Sequence, residues 1–184
     1  MITAAVFKTD VVARFKYYKA LGDKTFAQLT EAELKWSPHA DSNSIAIIVQ
    51  HMYGNMMSRF TNFLTEDGEK PWRNRDAEFE PMDISKQDLI DFWETGWSHV
   101  FSAIASLSDE NLLAPVTIRG EQLTAFDAVL RQLAHYGYHI GQIVWLGKMI
   151  KQADWNNLSI PRKGSAAFNA DMQAGNRPGG GAKL

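Results

Sequence analysis

Helical periodicity constrains this chain more than any other feature. Apolar side chains recur at helical spacing over four long stretches, and breakers separate them. The first stretch runs from about Ala4 to Leu29, with Val11, Phe15, Tyr18 and Phe26 on one stripe. The second opens near Asp41–Ser44, where capping residues cluster, and continues through Ile45, Ile48, Met52, Met56 and Phe60. Ser85 reads as the cap of the third, whose broad face carries Leu89, Phe92, Trp93, Gly96, Val100, Ala103 and Leu107. Thr124 caps the fourth, which extends to about Lys151. Between the first two, Thr30 and Glu33 have the spacing of a capping box, which predicts a short helix before Ser37-Pro38.

The connections complete the reading. Glu66–Ser85 is the one long connection, between the second and third long helices. Within it, Glu69–Pro81 holds two prolines and alternating charges and reads as a surface loop. Val116-Thr117-Ile118 followed by Arg119-Gly120 predicts a short strand and turn. The chain from Asn156 reads as irregular, and Arg177–Gly181 as a flexible tail. The expected fold is therefore all-α, a four-helix bundle over residues 1–170 with a Gly-rich tail over 171–184. No alternation of strand and helix supports a doubly wound sheet.

Composition narrows the function classes. With 184 residues, 45% apolar and 22% charged, the chain has the make-up of one globular domain and not of a disordered one. Lys plus Arg is 19 and Asp plus Glu is 21, so no global basic field favours nucleic acid. Lys70, Arg73 and Arg75 read as a small solvated cluster, offset by Glu66, Asp67, Glu69, Asp76 and Glu78. The longest charge-free runs, Ser42–Ser58 and Gln132–Gly147, are too short and polar to span a bilayer. Lys8, Asp10 and Arg14 interrupt any secretory h-region, and a cytoplasmic location is expected. There is no cysteine, which excludes disulfides, zinc ribbons, iron–sulfur ligation and a cysteine nucleophile.

Five histidines remain: His39, His51, His99, His135 and His139. His135 and His139 are four apart, so on a helix they share a face and can chelate one ion. Leu133, Ile140 and Ile143 lie near the same stripe, which turns the pair inward. Gly137 and Gly141 beside them are tolerable in a helix if a neighbour or ligand comes close. His51 sits among Ile47, Ile48 and Met52 in the second helix. A buried neutral imidazole needs partners for both nitrogens, and three facing one core can share a cation. The competing reading is a set of hydrogen-bonded core histidines. His39 follows Ser37-Pro38 and reads as a loop residue. His99 shares a stripe with Phe92, Gly96 and Ala103 and reads as near-core packing.

Several segments resemble the DinB-like superfamily of metal-binding four-helix bundles, in a branch without assigned function. They are Asp41-Ser42-Asn43-Ser44-Ile45-Ala46 leading into Val49-Gln50-His51-Met52-Tyr53-Gly54-Asn55, and His135-Tyr136-Gly137-Tyr138-His139-Ile140-Gly141-Gln142-Ile143. The ending Leu158-Ser159-Ile160-Pro161-Arg162-Lys163-Gly164-Ser165, with Phe168-Asn169, is similar to that branch's C-terminal signature. The resemblance implies a three-histidine centre at His51, His135 and His139, and a homodimer. Relatives with known chemistry, bacillithiol transferase and mycothiol-dependent maleylpyruvate isomerase, use a low-molecular-weight thiol.

Three imidazoles suit Zn²⁺ or Ni²⁺ foremost, with Fe²⁺, Co²⁺ or Mn²⁺ as further choices. Three protein ligands leave a coordination position open, as in catalytic sites. The leading expectation is a metal-dependent transferase that ionises a small thiol for attack on a small electrophile. The alternatives are metal-assisted hydrolysis and a metal-stabilised dimeric binding protein without turnover. Tyr53, Asn55, Tyr136, Tyr138 and Gln142 read as packing or ligand-supporting residues, and no general acid or base is assigned. Arg162 and Lys163 are candidates to meet an anionic substrate.

Overall fold

Side-chain caps open five helices. In this computed structural model, which describes residues 3–176, helix α1 (Ala4–Phe26) is capped by Thr3, whose hydroxyl accepts from the Val6 N–H. Thr30 and Glu33 form the reciprocal box of α2 (Glu31–Lys35). Ser44 caps α3 (Ile45–Phe60), and Ser85 with Asp88 forms a second reciprocal box on α4 (Lys86–Ala105). Thr124 caps α5 (Ala125–Lys151). Each such cap satisfies orphan N–H groups and contributes about 1 kcal/mol. Helix α6 (Ser165–Gln173) has no side-chain cap.

Apolar faces then decide the packing. Helix α3 lies against α4 and α5, and α1 lies against α5 and α4, so each long helix packs on two others. At the centre, the Trp97 ring lies 5.5 Å from Trp93, 5.8 Å from Phe15 and 5.7 Å from Tyr136, all fully buried. Among the described residues no helix is long and apolar enough to cross a membrane.

Two expectations about local structure change. The predicted strand and turn is a complete antiparallel hairpin, β1 (Pro115–Ile118) paired with β2 (Glu121–Thr124). Its second strand reads Glu-Gln-Leu-Thr, with no apolar alternation to announce it. Arg119 and Gly120 form the turn with φ of 56° and 75°, the left-handed pair that a two-residue hairpin needs. The stretch from Asn156 is not wholly irregular, because α6 forms within it. No residue of α6 is fully buried, and Phe168 with Met172, both half-buried, make too short an apolar stripe to announce a helix. The expected tail at Arg177–Gly181 lies outside the described residues.

The larger correction concerns the connection from α3 to α4. It is only partly a solvated loop. Lys70 and Glu78 are buried, and the Arg73 side chain is only 2% exposed. A single 3-10 turn, Asp76–Phe79, packs on α3. Gln50 on α3 holds it, its Nε2 donating to the Ala77 and Glu80 carbonyls at 2.8 and 3.3 Å. The Ser58 hydroxyl donates to the Gly68 carbonyl at 2.6 Å, and the Gly68 N–H donates to the Thr117 carbonyl of β1 at 2.7 Å. Asp67 accepts from the backbone N–H groups of Glu69, Arg119 and Gly120. Burial opposes its charge, yet these donors hold its carboxyl well below the usual range. The connection reads as polar because its charges are many. Lys70, Arg73 and Glu78 among them are buried because they find partners on α3 and within the connection, which spacing along the chain does not reveal.

Candidate metal centre

His51 lies in the middle of α3, and His135 and His139 lie one turn apart on α5. The packing of α3 on α5 brings them together. Each histidine presents a ring nitrogen, and the three nitrogens lie within 4.8 Å of one another. His51 Nε2 is 3.5 Å from His135 Nε2, which is 3.0 Å from His139 Nε2. Zinc–nitrogen bonds of ~2.0–2.1 Å at tetrahedral angles would set ligand nitrogens about 3.3–3.4 Å apart. The two separations straddle that figure, so the three histidines could hold one divalent ion.

Two of the outer ring nitrogens are anchored. His51 Nδ1 lies 2.9 Å from Glu78 Oε2. An ionised carboxylate only accepts, so Nδ1–H donates and the Nε2 lone pair faces the cluster. His139 Nδ1 lies 2.8 Å from Gln142 Oε1, while Gln142 Nε2 donates to the Tyr138 hydroxyl at 3.1 Å. Tyr138 and Gln142 together hold the His139 ring, and in this orientation the amide oxygen accepts from Nδ1–H. The Phe79 ring packs 4.7 Å from the His51 ring.

Burial keeps the two α5 imidazoles neutral. Burial pulls His135 down to about 3, with further help from charge on His139, His51, Arg59 and Arg73. Burial also lowers His139, outweighing its bond to Gln142. Glu78 moves below its ordinary value despite burial, because His51 and Arg73 both bond to it. Neutral imidazole is the form that ligates a metal.

Glu78 escapes a reading of the sequence alone, as does the arginine that holds it. Arg73 Nε donates to Glu78 Oε1 at 2.7 Å and Nη2 to Oε2 at 2.9 Å, a two-pronged pair. One trace of this lay in the sequence at Gly54, one turn after His51 in an otherwise strong helix. A Cβ at Gly54 would stand 2.2 Å from Glu78 Oε1, so only glycine lets the carboxylate approach.

The remaining candidates separate clearly. Tyr53 stacks on Phe92 with ring centres 4.7 Å apart. The Tyr136 hydroxyl donates to Asn55 Oδ1 at 3.0 Å, and complete burial pushes its ionisation far above the usual range. A Cβ at Gly137 would meet the Tyr18 ring at 3.0 Å, whereas Gly141 faces open space. His39 is exposed and His99 half-buried, and neither belongs to the cluster. Arg162 and Lys163 are exposed and do not line the space beside the histidines.

That space is a cavity of about 240 Å³. His51 and His135 form one wall with Asn55 and Gln132, and Arg59, Arg73, Arg75, Arg119 and Arg131 form the rest. The basic residues of the connection are therefore part of a larger convergence, not a small isolated cluster. Burial lowers Arg59, and the neighbouring Arg73 adds to the effect.

No curated protein and no solved structure matches the chain. A family model matches residues 3–164, nearly the whole of the helical unit and both histidine segments. The chain belongs to that family, described as proteins of unknown function (DUF1572).

Proposed function

We propose that this chain is a DinB-like four-helix bundle whose His51, His135 and His139 hold one divalent ion, Zn²⁺ or Ni²⁺ foremost. We further assign it a transferase activity, moving a low-molecular-weight thiol onto a small electrophile. The observation that carries the reading is the convergence of three imidazoles, two of them anchored, beside an open cavity. A bound ion with an open position would ionise a coordinated thiol near neutral pH.

The chain's own residues supply the rest. Glu78 and Gln142 hold two imidazoles in the ligating tautomer, so little reorganises on loading. Phe79 covers the His51 ring and shields it from water. The cavity admits a small molecule on the side of His51 and His135. With no cysteine in the chain, the thiol must arrive as a cosubstrate.

Elemental analysis of tag-free protein tests the centre. About one ion per chain is expected in the wild type, and its loss in His135→Ala. Loaded protein is then assayed with small thiols and electrophiles. A loaded protein that consumes no thiol with any electrophile would remove the transferase assignment while leaving the metal centre standing.

A further inference from the structure

The arginine cavity has an unbalanced charge. Arg59 comes from α3, Arg73 and Arg75 from the connection, Arg119 from the hairpin turn, and Arg131 from α5. Three carboxylates answer these five guanidinium groups. Glu69 takes Arg59 at 3.1 Å and Arg119 at 2.9 Å. Glu78 takes Arg73 and also serves His51. Glu121 takes Arg131 at 2.7 Å on the surface. Arg75 has no carboxylate partner among the described residues and lies 4.9 Å from the Phe79 ring centre. The wall is therefore positive by about two charges before any cation joins the histidines, and positive charge held in a concave wall focuses potential onto small anions.

The neutral groups of the wall are also short of partners. Gln132 is only 4% exposed, and its Oε1 has no hydrogen-bond partner. Asn55 spends its Oδ1 on Tyr136, and its Nδ2 donates to no group among the described residues. Buried amides left this way normally face a ligand or water. At about 240 Å³ the space suits a small acid and not a polymer.

We propose that this cavity seats an oxyanionic group, a carboxylate or a phosphate, of the small molecule that reaches the histidine cluster. Forked guanidinium groups match either oxyanion, and Arg75 with Arg131 stands at the exposed rim to receive it. The anion and the histidines share one wall, so the seated group would leave the molecule's other end beside His51 and His135. The proposal rests on the metal-dependent reading for what happens at that end. The anion seat itself does not depend on it.

The test uses full-length, metal-stripped protein at low salt, titrated calorimetrically with inorganic phosphate and, separately, with succinate. Saturable one-to-one binding of at least one anion is expected, weakening as sodium chloride is raised. The ion that binds more tightly identifies the source, phosphate or carboxylate. Arg75→Gln with Arg131→Gln, both at exposed positions, should weaken binding about tenfold and leave the melting temperature unchanged. His135→Ala should still bind the anion, which separates this seat from the metal centre. The proposal is overturned if neither anion binds the wild type, or if the double variant binds as tightly as wild type. Anion binding by a protein that takes up no metal would instead uphold the seat and remove the transferase reading.

Discussion

Glu78 Oε2 lies 2.9 Å from His51 Nδ1, with both side chains buried, and the two residues come from opposite kinds of structure. His51 is mid-helix, and Glu78 sits on a single 3-10 turn in a long polar connection. That contact ties the connection to the candidate centre. It would make the connection's fold and any metal affinity of the centre depend on each other.

Glu78→Gln keeps the shape and removes the charge. Arg73 then loses its buried partner, and the His51 tautomer is no longer dictated by a carboxylate. Zinc affinity should fall roughly 10- to 100-fold, as for other supporting residues of metal centres. The melting temperature should also drop, because one member of a buried ion pair is left uncompensated. A chelator competition titration and a thermal melt check both. An unchanged zinc affinity would mean that Glu78 serves the fold alone.

Gly54→Ala and Gly141→Ala should move in opposite directions. Alanine favours a helix by about 1 kcal/mol over glycine. At Gly141 the added methyl meets nothing, so the protein should gain up to that amount. At Gly54 the methyl collides with the Glu78 carboxylate, so stability and metal affinity should both fall. Denaturant melts of the two variants give the comparison, and equal shifts would contradict the packing at Gly54.

The metal-stripped protein should lose stability on mild acidification. His135 is held to about 3 when folded and returns to an ordinary value near 6.5 on unfolding. The unfolded chain thus binds more protons, so this stability is full above pH ~6.5 and fades as pH falls toward 3. His139, also lowered by burial, adds in the same direction. Melting temperatures between pH 8 and pH 4 should slope less in His135→Ala than in wild type. Identical slopes would show that His135 is not held neutral by the fold.

Tyr136→Phe separates support from chemistry. Its hydroxyl is buried, bonds only Asn55, and cannot ionise in any working range. The variant should cost about 1 kcal/mol, the net worth of one neutral hydrogen bond. Metal stoichiometry and the pH dependence of any thiol turnover should stay as in wild type. A shifted pH profile would assign Tyr136 a part in proton transfer.

Much of the architecture was legible along the chain because it is local. Ser44, Ser85 and Thr124 mark helix starts by bonding N–H groups a few residues away. The Thr30–Glu33 box is likewise complete within one turn. His135 and His139 share a face through helical spacing, and His51 stood out as a polar residue in an apolar run. The hairpin was half legible, since its turn residues are distinctive and its second strand is not. Helix α6 left little pattern because its apolar contact is short and only half-buried.

Sequence alone thus determined the four long helices and α2, the caps at Thr30, Ser44, Ser85 and Thr124, and the residue types able to bind a metal, all of which rest on interactions within a few residues. Tertiary structure decided which nitrogens meet, which carboxylate anchors them and how five arginines come to share one cavity. Arg59 and Arg131 are far apart in the chain, and Glu78 looks like any loop carboxylate. Their placement around one site follows from the packing of α3 on α5 and of the connection on α3. Desolvation there makes each buried charge seek a partner that linear spacing cannot name.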